Sequence, residues 1–268
     1  HDPFRGLESY EFEHKDIFFG QDDAVRRAML QLTAHAATGS PFLIVLGASG
    51  SGKSSLVKAG VVPKLFVPRR VTGSAFLRRV EFRPSDAQSG EDLFDALARA
   101  LVTAKEESVG LPELVSEGRS VRALSEHLRK NRSMPEYPIA MVLDQLAASA
   151  RQTSGVLEFE TGRLVLVIDQ LEELFTSERF TREDRIQFIQ LIAGLVRSER
   201  IWVIAAMRKD FWHRSDEAPE LVELSEGLGC LDLLPPSPAQ LGQMIRRPAE
   251  AAGSSAARYP SPRSALHL

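Results

Sequence analysis

Apolar residues fall into two patterns along this chain. Some runs are short and almost wholly apolar, as in Phe42–Leu46, Leu164–Ile168 and Ile201–Ala206. Others recur with the period of a helix: Val25, Ala28, Met29, Leu32 and Ala36 share one face between Asp22 and about Ala37. The first pattern predicts strands buried on both faces, and the second predicts helices that cover them.

In order, the pattern predicts a helix from Asp22, ended by Gly39-Ser40-Pro41, and then a strand at Phe42–Leu46. After a helix broken near Gly60 and Pro63, a second strand spans Phe76 to Phe82 and closes at Pro84. Ser89, with Asp92 three residues on, resembles a helix N-cap ahead of Leu93, Leu97 and Leu101. Thr103 to Ser154 reads as largely helical, with breaks near Pro112, Gly118 and Met134-Pro135. A helix from Thr181 to Arg197 separates the strands Leu164–Ile168 and Ile201–Ala206, a further helix covers Glu217–Glu226, and Cys230 to Leu234 adds an edge strand. Ser237, Pro238 and Gln240 start a helix that runs to about Ala252. Gly253 onward has no period and is read as a disordered tail.

The first apolar strand runs into Gly47-Ala48-Ser49-Gly50-Ser51-Gly52-Lys53-Ser54, which fits GxxxxGK[ST] at every fixed position. Small residues let backbone N–H groups converge on a polyphosphate, and the following helix, with Ser55 in its first turn, points its dipole at the same anion. Lys53 would reach the β- and γ-phosphates and Ser54 would ligate Mg²⁺. Leu164–Ile168 ends on Asp169, which places a second metal-binding oxygen at the strand's C-terminal end. Glu172 and Glu173 follow within one turn as candidate general bases, with Glu172 favoured. Gln170 stands where many hydrolytic P-loop enzymes carry an acid, which argues for weak turnover. Arg208 ends its strand much as Asp169 ends another, and is placed to sense the γ-phosphate.

Bulk properties narrow the partners. Net charge is −3 over 268 residues, and the pairs Arg69-Arg70, Arg78-Arg79 and Arg246-Arg247 are short, so neither nucleic-acid nor membrane binding is supported. A single cysteine, Cys230, forbids an internal disulfide and fits a reducing, cytoplasmic setting. No [NT]KxD motif for reading guanine occurs, which favours ATP.

The strand that separates the phosphate loop from Asp169 in sequence resembles the additional-strand division of P-loop NTPases. In order, FRGLESYEFEHKDIFFGQ, LIVLGASGSGKSSLVKAGVVPKL, LVLVIDQLEELFT, WVIAAMRKDFWHR and LLPPSPAQLGQMIRRPAEAAG resemble the NTPase module of the bacterial novel STAND family, over most of Phe4 to Gly253. The resemblance implies an α/β fold: a P-loop NTPase three-layer sandwich on a mostly parallel sheet, with a partial C-terminal helical lid. It divides the chain into a lead-in segment and helix (1–40), the core (41–235), the start of the lid (236–252) and the tail (253–268). It makes Gly47, Gly52, Lys53 and Ser54 the Walker A residues, Asp169 Walker B and Arg208 sensor 1. It also implies a slowly hydrolysing ATP switch in bacterial defence or signalling, with self-association on activation. Two features depart from the family pattern. Gln21 follows Gly20 where the family has arginine, and the expected sensor and effector regions give way to the patternless tail, the mark of a fragment or a frame-shifted end. An AAA+-like ATP-driven remodeller and a nucleotide-binding scaffold without turnover are the alternatives.

Overall fold

The computed structural model describes residues 8–105, 108–116, 119–131, 134–154 and 161–256. Five parallel strands form one sheet: β1 (Phe42–Gly47), β2 (Ser74–Phe82), β3 (Thr161–Ile168), β4 (Ile201–Arg208) and β5 (Cys230–Asp232). Their spatial order is β2-β3-β4-β1-β5.

The near-continuous apolar strands have a simple cause. Side chains alternate across a strand, and here both faces are covered. Phe42, Ile44 and Leu46 of β1 pack on one side with Leu166, Ile168, Val203 and Phe188. Leu43 and Val45 pack on the other with Met29, Leu32, Val57 and Ile204. The first face is covered by α3 (Leu93–Val102), α4 (Val121–Lys130), α5 (Tyr137–Ser154), α6 (Arg182–Arg197) and α7 (Pro219–Ser225), and the second by α1 (Asp22–Ala36) and α2, the helix after the glycine-rich loop (53–65). The result is a three-layer α/β sandwich with the P-loop NTPase fold.

The strand between β1 and β3 in space is β4, whereas Ser74–Phe82, which separates them in sequence, lies at the sheet edge. Crossover connections allow this, because strand order in a parallel sheet need not follow chain order. Three local expectations change. The N-cap before Leu93 is Asp92, whose carboxylate accepts from the N–H groups of Phe94 and Asp95; an extended Asp92 reaches two free donors that Ser89 does not. The helix after the loop does not stop at Gly60 or Pro63. It is α-helical over Lys53–Ser55, π-helical over Leu56–Val61 and α-helical again over Val62–Leu65, with the wider middle turn leading into the residue that has no N–H to give. The last helix, α8 (Pro238–Ala256), passes through Gly253 into the stretch expected to be patternless. The rest of the expected tail, and the expected break at Gly118, lie outside the described residues.

Candidate functional site

Parallel strands bring their C-terminal ends to one edge, and the candidate residues gather there. Gly47 is paired in register with Arg208, and Ile168, just before Asp169, with Ala205. The Asp169 N–H donates to Phe82 O at 2.9 Å, which aligns the end of β2 as well. Beyond this edge opens a cavity of about 1000 Å³, lined by Ser49–Ser55, Asp169, Glu172 and Arg208.

The glycine-rich loop is open to an anion. Gly50 and Gly52 sit at φ +72° and +87°, a region that side chains with a Cβ disfavour. A Cβ on Gly47 would lie 2.7 Å from Ser51 Oγ, and one on Gly52 would lie 2.9 Å from Gln21 Nε2. The Ser51 hydroxyl is buried with no hydrogen-bond partner among the described residues. Lys53 folds back on its own loop, donating to Gly47 O at 3.1 Å and Ala48 O at 2.7 Å. Burial lowers its pKa, and nearby Glu172 opposes that shift. An anion would both satisfy the loop and, as an opposite charge, oppose the effect of burial on this ammonium.

Asp169, by contrast, is fully engaged. Its Oδ1 accepts from the Ser54 hydroxyl at 2.7 Å. Its Oδ2 accepts from Arg83 at 2.9 Å and lies 3.4 Å from Lys58 Nζ. Hard oxygen donors this close suit a small divalent cation, so Ser54 and Asp169 fit Mg²⁺.

The two glutamates diverge. Gln170, at φ +55°, turns the chain sharply after β3, and the turn carries Glu172 back under β4. There its carboxylate accepts the Arg208 N–H at 3.1 Å, and burial raises its pKa. The Glu173 carboxylate points elsewhere and accepts the Ser85 N–H at 2.9 Å. The Arg208 side chain forks onto Asp210, at 3.1 and 2.5 Å, and lies over the Phe211 ring. Ser55 accepts the Tyr10 N–H at 3.0 Å, which pins the lead-in segment to the loop helix.

Several residues that chain reading passed over complete the site. Lys58 is 5% exposed and lies 3.2 Å from Glu11, 3.1 Å from Glu81 and 3.4 Å from Asp169. Burial alone would lower its pKa, but the three carboxylates together raise it. A lone charge within the apolar run Leu56–Val62 was the available signal. Arg83 is the first residue after β2, the same position that singled out Asp169 after β3. Ile17, Phe18, Phe19, Leu241 and Met244 add apolar surface to the cavity wall. Gly20 lets α8 approach the lead-in segment, since a Cβ there would meet Met244 Cγ at 2.7 Å and Gln240 O at 2.8 Å. Among the described residues no helix is long and apolar enough to cross a membrane.

A family model described as Novel STAND NTPase 1 matches residues 3–260. Among solved structures, the chain is similar to the ORC2 protein of Aeropyrum pernix in ADPNP–ADP complexes, at 13% identity and a TM-score of 0.45, over 80% of this chain and 47% of that one. It is likewise similar to a Walker-type ATPase of Pyrococcus abyssi, at 13% identity and a TM-score of 0.47, over 87% of this chain and 59% of that one. The chain thus spans about half the length of these structures. No curated protein matches it.

Proposed function

The chain belongs to the Novel STAND NTPase 1 family, and from that premise we propose that it is an ATP-binding switch that hydrolyses slowly. The observation that carries this reading is the state of Lys53 and Asp169. Both are held by protein partners, Lys53 by loop carbonyls and Asp169 by Ser54, Arg83 and Lys58. Nucleotide and metal would exchange those partners for phosphate and Mg²⁺, and only states that differ in their contacts can be switched by a ligand.

In the bound state Gly47–Ser55 would hold the phosphates, Ser54 and Asp169 would hold Mg²⁺, and the apolar wall contributed by Ile17, Phe18, Phe19, Leu241 and Met244 would take the base. Glu172 is the better placed of the two acids to orient water, because it lines the cavity while Glu173 is committed to Ser85. Gln170 in place of an acid favours slow turnover. In the whole protein the ATP state self-associates and signals, in keeping with a role in bacterial defence.

Three quantities measured together test the proposal: ATP affinity, turnover, and particle size in ATP against ADP, for wild type, Lys53→Ala and Asp169→Ala. Tight Mg²⁺-dependent ATP binding with slow turnover is expected for wild type, with weakened ATP binding in Lys53→Ala and loss of the Mg²⁺ dependence in Asp169→Ala. Brisk steady turnover with ring assembly would replace the switch with a remodeller. Binding without turnover or any change in size would leave a scaffold.

A further inference from the structure

Arg83 stands out as a cation aimed at the site by a stiff backbone and held there by a single partner. Pro84 confines it to extended geometry, seen at φ −126°, ψ 143°, and its N–H is tied to Asp86 Oδ2 at 2.9 Å. The side chain is 36% exposed and lines the same cavity as the glycine-rich loop. Of the five N–H donors of a guanidinium, the bond to Asp169 Oδ2 is the only one it makes as a side chain among the described residues.

Lys58 shares that carboxylate oxygen, but its situation differs. Glu81 and Glu11 both lie closer to Lys58 than Asp169 does, so Lys58 stays neutralised if Asp169 turns to a metal. Arg83 does not. A divalent cation between Ser54 and Asp169 would compete with Arg83 for the same charge and leave its fork without a hydrogen-bonded anion, with Asp86 and Glu11 acting on it only through space. Arg208 begins from the opposite condition, already paired at two points with Asp210.

We propose that Arg83 is a γ-phosphate reader: metal loading releases it from Asp169, and it re-pairs with the terminal phosphate of a nucleoside triphosphate, which a diphosphate lacks. This rests on the ATP-switch reading. It assigns discrimination between ATP and ADP to the end of β2, within the same chain, in addition to any contribution from Arg208.

The test is the ratio of Mg·ADP to Mg·ATP dissociation constants by calorimetry. For Arg83→Ala, Mg·ATP binding should weaken about tenfold or more, the scale of a charge-assisted pair. Mg·ADP binding should hold or tighten, since Asp169 is freed for the metal. Arg83→Lys should recover part of the ratio, and with Arg83→Gln it decides the matter if the alanine variant does not fold. Equal changes for both nucleotides would reduce Arg83 to a counter-ion of Asp169 and overturn the proposal. Failure of the wild type to bind either nucleotide would instead overturn the underlying ATP reading, so the two failures are distinguishable.

Discussion

The two halves of the site are built on opposite principles. At the glycine-rich loop, backbone geometry leaves donors in wait, with a buried Ser51 hydroxyl that has no partner among the described residues and a Lys53 ammonium resting on its own loop carbonyls. Around Asp169 the charge is answered by side chains drawn from two separate stretches of chain, Ser54 and Lys58 on the helix after the loop and Arg83 after β2. An anion can therefore enter the first half without breaking strong pairs. A metal can enter the second only by displacing one. On the proposed switch reading, the energetic threshold lies at Asp169, even though the recognisable motif lies at the loop.

That contrast can be broken most severely at Lys58. Replacing it with Met leaves Asp169 and Glu81 short of a buried counter-charge, and removing one partner of a buried pair costs about 3–5 kcal/mol. Because Arg83 remains on Asp169, we expect the lower end, about 3 kcal/mol, read as a lowered urea midpoint. A loss indistinguishable from that of an exposed pair such as Arg122–Glu126 would show that the network carries no stability.

The loop half should respond in the reverse sense. Lys53→Ala is expected to weaken Mg·ATP binding by about 10- to 100-fold, the worth of hydrogen bonds to a charged group, while stability holds or rises, since a partly desolvated ammonium is removed. A substantial loss of stability in calorimetry would show that Lys53 is structural and that the halves are not so different.

The smallest effect should come at Glu172, between them. Burial raises its pKa, so the folded state holds this proton more tightly than the unfolded state does. Stability then falls as pH rises through the ordinary carboxylate value of 4.5 and on through the raised folded value. Glu172→Gln lacks that penalty and can still accept the Arg208 N–H. Its melting temperature should match wild type near pH 4 and exceed it by pH 7. A gap that does not change with pH would contradict the burial of the charge.

The same contrast explains what could be read from the chain. The loop and the strand ending at Asp169 are local patterns, written in consecutive residues and set by strand and turn geometry. Lys58, Glu81, Glu11 and Arg83 belong to a network whose members lie up to 158 positions apart, and only the order β2-β3-β4-β1-β5 brings them together. Helix boundaries were legible where caps are local. They were misjudged where a π-helical turn carried the chain past Gly60 and Pro63 and where Asp92, not Ser89, held the free N–H groups. Arg83 closes a strand as Asp169 and Arg208 do, but β2 carries Arg78, Arg79 and Glu81 and so lacks the wholly apolar run that marks the other two.

The most direct measurement is calorimetric titration of ATP into the wild-type chain with and without Mg²⁺, repeated for Asp169→Ala. The switch account predicts ATP binding that Mg²⁺ strengthens, with the Mg²⁺ dependence lost in the variant. Absence of ATP binding in the wild type, or an unchanged Mg²⁺ dependence in the variant, would contradict it.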